Sequence, residues 1–209
     1  MKTLFEVKTA GYFLSHSVGL QPKSAKDALY DAMLTPWAQD PEQAWPHWLK
    51  GIQGFSDALA KLLHTDADLI CPQVNLSSSY TKVLQALPFD AQRPVILMSE
   101  RDFPSMVFVA KQAERLGYQL RLLDKSFDVH DTQAWQQAFK DDVALVLLSH
   151  VYSNSGCRLD IPAICEQARQ AKVLTLVDIA QSVGVMPIDC QTWRADFILG
   201  SCVKWLCGG

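Results

Sequence analysis

Two residues near the end of the chain carry side chains that could serve one reaction. The apolar run Leu174-Thr175-Leu176-Val177 ends on Asp178, and the run Ala195-Asp196-Phe197-Ile198-Leu199 leads through Gly200-Ser201-Cys202-Val203 to Lys204. An acid at a strand end is more often a cap or turn former, and a single lysine usually faces solvent. As a pair they have a specific use. A lysine amine can condense with an aldehyde cofactor, and a carboxylate can keep that cofactor's ring nitrogen protonated, so that the ring withdraws electrons from a substrate α-carbon. At apolar strand ends the two charges also need each other, or a ligand, to offset desolvation.

A second candidate lies upstream. Val74-Asn75-Leu76-Ser77-Ser78-Ser79-Tyr80 opens a helix that runs on through Thr81, Lys82, Val83, Leu84 and Leu87. Hydroxyls gathered at a helix start, with the exposed N–H groups of its first turn, make an anion site. A plain serine N-cap would have the same appearance.

The elements that must position these groups alternate along the chain. Pro94–Met98, Val143–Leu148 and Val173–Val177 are short apolar runs with the character of strands buried on both faces. Between them the periodicity turns helical. Ser105–Leu116 places Val109, Ala113 and Leu116 on one face, Thr132–Phe139 groups Trp135, Ala138 and Phe139, and Ile161–Ala171 groups Ile164, Cys165 and Ala168. This spacing predicts βαβ units, hence an α/β domain with a largely parallel sheet between helices. Ligands of such sheets sit beyond the carboxyl ends of the strands, where Asp178 and the Ser201–Lys204 segment fall. The N-terminal part differs: a loop over Gly11–Leu20, a helix over Ser24–Leu34, a proline- and tryptophan-rich stretch over Pro36–Pro46, then a helix over Trp48–Leu63. Residues 1–47 are expected to form an arm and helix, and 48–209 the large cofactor-binding domain.

Composition removes several classes of function. With 49% hydrophobic and 20% charged residues, the 209-residue chain can bury a core without metal or disulfide. A net charge of −3 and scattered aromatic residues argue against a nucleic-acid partner. No apolar run has the length of a membrane span. Met1–Ala10, with Lys2 and Lys8, lacks the apolar core of a secretory signal. The six cysteines show no metal-ligand spacing, so the expectation is no metal and mostly buried thiols in the cytoplasm.

The segment Val177-Asp178-Ile179-Ala180-Gln181, followed by Gly200-Ser201-Cys202-Val203-Lys204-Trp205, resembles the cofactor segment of class V aminotransferases. These are pyridoxal 5′-phosphate (PLP) enzymes of fold type I and include cysteine desulfurases and kynureninases. Their pattern is Asp-x-Ala-Gln or Asp-x-Ala-His, then Ser-x-His-Lys or a close variant followed by glycines; Val203 stands where the family often has His and kynureninases have Tyr. The resemblance implies Lys204 as the residue that holds the cofactor and Asp178 as the partner of its ring nitrogen. It also implies Gln181 near the ring's phenolic oxygen and Ser201 as a phosphate ligand. The Ser77–Ser78 helix start matches the family's phosphate site, with Leu76 contributing backbone. In Glu100-Arg101-Asp102-Phe103-Pro104-Ser105, Phe103 matches the ring-stacking aromatic, while Met106 replaces an Asp that kynureninases carry. Tyr12-Phe13-Leu14-Ser15-His16-Ser17-Val18-Gly19-Leu20-Gln21-Pro22 resembles the kynureninase opening, an arm that in the family approaches the substrate. Ser149–Gly156 resembles the loop before the Asp strand.

These matches imply an amino-acid substrate, a homodimer, and either transamination or kynureninase-like C–C hydrolysis. Family members continue well beyond their lysine, so the further expectation is the front part of a longer enzyme, with the C-terminal small domain outside the 209 residues. The alternative is a catalytically inactive or degenerate α/β binding domain of the same fold. A Rossmann-type nucleotide-binding module is a poor third reading, because no Gly-x-Gly-x-x-Gly follows any strand.

Overall fold

Five short segments rich in Val, Leu and Ile pair side by side, all parallel, in the order β2-β1-β3-β4-β5. They are β1 (Val95–Ser99), β2 (Gln119–Leu123), β3 (Val143–Ser149), β4 (Leu174–Asp178) and β5 (Phe197–Leu199). The structure is a computed structural model that describes residues 2–7 and 11–208; Met1, Lys8 and Ala10, named above, lie outside the described residues. The chain falls into two units: Gln73–Val183 with Cys190–Ser201, and Met1–Pro72 with Gly184–Asp189 and Cys202–Gly209.

The first of these units holds the sheet. β1 is buried along its whole length and β3 nearly so, as expected of strands covered on both faces. Ile96, Met98, Leu145, Leu147 and Leu176 alternate onto one face, where they form a core with Tyr80 and Leu84 of helix α4 (Leu76–Ala86) and Met106 and Ala110 of helix α5 (Pro104–Gln112). The α5 face is therefore rotated from the one expected. Met106, Ala110 and Ala113 go inward, whereas Leu116 is exposed, because the helix ends at Gln112 and tightens into a 3-10 turn over Ala113–Leu116. Helix α7 (Ile161–Gln170) buries Ile164, Cys165 and Ala168 as read from its periodicity, and is capped by Asp160, whose side chain accepts from the Ala163 N–H.

Strand β2 was not visible as an apolar run. It is the sheet edge, half exposed, and Arg121 in its centre pairs with Asp142. Because β1 has β2 on one side and β3 on the other, the direction of winding reverses between β1 and β3. That reversal is the topological switch point of the sheet.

The other unit is mostly helical. Helices α1 (Lys23–Leu29) and α2 (Thr35–Gln39) flank a π-helical stretch at Tyr30–Leu34, and α3 (Ala44–Leu63) starts four residues earlier than its sequence suggests. The Trp48 indole N–H donates to the Met33 carbonyl at 3.1 Å, and Trp48 meets Trp37 and Trp45 edge-on. Tryptophan spacing thus ties α3 to the turns before it. The cysteines depart from expectation: of the six, only Cys165 is buried, and Cys71 is exposed. Among the described residues, no helix is long and apolar enough to cross a membrane.

Candidate active site

Parallel strands deliver their carboxyl ends to one edge of a sheet, so Ser99, Ser149, Asp178 and Leu199 end four strands on the same side. Asp178 is buried at the end of β4. Its Oδ1 accepts from the Ala180 N–H at 2.8 Å, and its carbonyl accepts from the His150 N–H at 2.9 Å. Gln181 follows, half-buried, in the turn that leaves the strand. β5 is held beside β4 by Asp196, whose carboxylate accepts from both the N–H and the hydroxyl of Thr175 at 2.8 Å. That pairing brings Ser201 off the strand end next to the Asp178 turn, where the Ile179 N–H donates to the Leu199 carbonyl.

Helix α4 is capped by Asn75, not by a serine: its side chain accepts from the Ser78 N–H at 2.9 Å. Ser77, Ser78 and Ser79 therefore lie inside the first turn, where the amides of Leu76 and Ser77 have no intrahelical acceptor. The Ser79 hydroxyl turns back onto the Asn75 carbonyl at 3.0 Å. Leu76 in this turn and Leu199 at the end of β5 pack on the same hydrophobic cluster.

Phe103 occupies the N-cap position of α5, with Pro104 at the first helical residue. It is 49% exposed, so its ring is not part of the core. Seven of the eight expected site residues (Leu76, Ser77, Ser78, Phe103, Asp178, Gln181 and Ser201) thus lie in the same unit as the sheet.

Lys204 belongs to the other unit, in a closed loop: the Gly208 N–H donates to the Cys202 carbonyl at 2.8 Å and the Cys207 N–H to the Lys204 carbonyl at 3.2 Å. In the same unit the Tyr12–Pro22 arm reaches this loop. The Gly19 N–H donates to the Val203 carbonyl at 2.7 Å, and the Tyr12 hydroxyl closes the arm on the Val18 carbonyl at 2.7 Å.

Two buried groups near the strand ends escaped sequence reading. Asp102 is only 5% exposed; burial pushes its carboxyl up to about 7, against the lowering effect of its hydrogen bonds with Ser99 and Ser149, and the nearby Asp178 raises it further. His150 is held near 4 by burial and by Arg158, with Nδ1 2.9 Å from the Ser182 hydroxyl and its ring edge-on to Trp193. Nothing in the run Glu100-Arg101-Asp102 distinguishes the buried acid from two solvated neighbours.

Known proteins share the family and the fold. The Aminotransferase class-V family profile matches residues 52–209. The kynureninase of Burkholderia mallei is 28% identical, covering 95% of this chain and 49% of the relative. That of Pseudomonas fluorescens is 26% identical with the same coverage, 95% and 49%. Among solved structures, the cystine C-S lyase C-DES in complex with cysteine persulfide superimposes with a TM-score of 0.87 at 24% identity, over 95% of this chain and 54% of that one. Cysteine desulfurase from Thermococcus onnurineus NA1 does so with 0.75 at 18%, over 95% and 51%. The chain spans about half the length, 49%, of the curated relatives it matches.

Proposed function

The chain belongs to the class V aminotransferases, a family whose cofactor is PLP, and from that premise we propose that the intact protein is a PLP-dependent enzyme acting on an amino acid, with Lys204 holding the cofactor. The observation that supports this reading best is the sheet edge itself. A buried acid, Asp178, and a half-exposed flat ring, Phe103, follow the ends of parallel strands, and a hydroxyl-lined helix start belongs to the same unit. Those groups fit the parts of the cofactor: an acid for a ring nitrogen, an aromatic face for a ring plane, and amides with hydroxyls for a phosphate.

When bound, the cofactor supplies an aldehyde that condenses with amines and a protonated ring that draws electrons from the substrate α-carbon. The residues of this chain supply the rest. Asp178, fixed by the Ala180 N–H, keeps a proton on the ring nitrogen. Phe103 holds the ring plane by offset stacking. Ser77, Ser78 and Ser201, with the backbone of Leu76, bind the phosphate, and Gln181 hydrogen-bonds the phenolic oxygen. Lys204 Nζ would hold the cofactor and, as a free amine, would move a proton at the substrate α-carbon as general base. The substrate is an amino acid, and the reaction belongs to the kynureninase-like or transamination branch.

A homodimer is part of the proposal. Helix α3 buries Ser56, Ala60 and Leu63 but exposes a second apolar stripe, Trp45, Leu49, Ile52 and Phe55, at helical spacing. Light scattering of the intact protein should give twice the monomer mass.

The functional reading is tested by borohydride treatment of the intact protein loaded with PLP, followed by peptide mapping. The label is expected on Lys204 and absent from Lys204→Ala; a label on another lysine, or none, overturns the assignment.

A further inference from the structure

The turn between β1 and α5 carries Phe103 at its end, and it is fastened on both flanks. Toward β2, the Glu100 N–H donates to the Leu123 carbonyl at 3.0 Å and the Arg101 guanidinium to the Lys125 carbonyl. Toward β3, the Asn154 amide reaches the Arg101 carbonyl at 3.4 Å. The centre of the fastening is Asp102. Its Oδ2 accepts from the Ser99 N–H at 2.7 Å, closing the turn on itself, and its Oδ1 accepts from the Ser149 hydroxyl at 2.7 Å.

Ser99 ends β1 and Ser149 ends β3, so this carboxyl bridges the two strands across the switch point, where the sheet opens a crevice. A carboxyl at 5% exposure is costly to desolvate, and an apolar side chain would fill the same volume without that cost. A neighbouring charge makes it costlier still: Asp178 is near enough to repel it. Stability alone therefore does not account for an acid at this position.

We infer that Asp102 is a positioning residue for the site: through Ser99 and Ser149 it locks the β1–α5 turn across the switch point and thereby sets the Phe103 ring against the cofactor. The inference rests on the functional reading above. Asp102 does not touch the reacting atoms; its effect passes through the backbone of one residue, from Asp102 to Phe103. Ser149 is the other half of the lock and lies opposite Asp178 in the β3–β4 register, so one hydroxyl joins the turn to the strand that carries the proposed acid's neighbour.

The test uses the intact protein with Asp102→Ala, Ser149→Ala and the double variant. Three properties are measured: PLP affinity by titration, the visible circular dichroism of the bound cofactor, and amide exchange in the cofactor-free protein. Each single variant is expected to weaken PLP binding about tenfold and to reduce the visible dichroism to less than about half, and Asp102→Ala is expected to speed exchange at the Ser99 amide, whose acceptor it removes. The double variant is expected to add little to Asp102→Ala, since the Ser149 hydroxyl acts on the turn through its bond to Asp102, which Asp102→Ala has already removed. A role in folding alone would lower thermal stability and leave the dichroism of the bound cofactor unchanged. A folded Asp102→Ala protein with wild-type affinity and dichroism overturns the inference. Should that variant not fold, Ser149→Ala, which removes a single hydroxyl, decides in the same way. Failure of the wild-type protein to take up PLP would instead refute the functional reading, and it would show in the control before any variant is compared.

Discussion

The backbone N–H of Gly19 donates to the carbonyl of Val203 at 2.7 Å, joining the N-terminal arm to the residue before Lys204. The contact is close. A Cβ on Gly19 would meet the Lys204 carbonyl oxygen and lie 2.8 Å from both Cα and Sγ of Cys207. Glycine is required here by lack of space, since the neighbouring atoms are largely backbone.

Gly19→Ala should therefore displace the Lys204 loop or the arm. Overpacking of this kind costs about 1–3 kcal/mol. The expected outcome is a lower melting temperature together with slower covalent fixation of PLP on Lys204, read by borohydride trapping. Unchanged trapping kinetics would show that the arm does not set the loop.

Asp178→Asn should leave the fold intact, because an amide oxygen can still accept from the Ala180 N–H. The neutral side chain cannot stabilise a charged ring nitrogen. PLP is expected to remain bound while turnover of the amino-acid substrate falls by about three orders of magnitude or more, equivalent to about 4 kcal/mol. Near-normal turnover would show that the acid has another role.

Asp102 and His150 make opposite contributions to stability between about pH 4 and 7. The Asp102 carboxyl is raised to about 7 in the folded chain, so the folded state holds its proton over a range where the unfolded state has lost it. Stability from this group is full at low pH and falls as pH rises toward 7. The His150 imidazole is lowered to about 4, so the unfolded state takes up its proton first, and stability falls as pH drops below the ordinary histidine range toward 4. Urea unfolding against pH should give a shallow profile for the wild type and a steeper loss on acidification for Asp102→Asn, where only the histidine slope remains. His150→Gln should show the reverse slope.

Arg93 acts at the other end of the sheet. Its guanidinium donates to the carbonyls of Lys172 at 2.5 Å, Val143 at 2.6 Å and Ala171 at 3.1 Å, clamping the starts of β3 and β4. Arg93→Ala should cost about 2–4 kcal/mol of stability in urea unfolding, since three carbonyls lose a charged donor. PLP affinity should not change, because the substitution lies away from the carboxyl edge.

The amino-acid sequence by itself determined the α/β class, the central strands and the spacing of the proposed cofactor residues. β1, β3 and β4 are buried on both faces, so most of their residues are apolar and the runs stand out against their surroundings. β2 did not stand out, because an edge strand has one side in water and tolerates Arg121. Asp178 drew attention because it ends a strand-like run, and the proposed Lys204 because it follows another within five residues. Tertiary structure alone decided which charged residues go inside. Glu100, Arg101 and Asp102 are equally polar in sequence, but the β1–α5 turn points only the third at the end of β3, where the Ser149 hydroxyl donates a hydrogen bond to it. The identity of a cap was likewise a matter of geometry. Asn75 and the three serines after Leu76 have the same capping chemistry, and the backbone at Asn75, extended at φ −165° and ψ 170°, fixed which of them closes the helix. Local composition records what each residue prefers; only the pairing of distant strand ends selects among residues with equal preference.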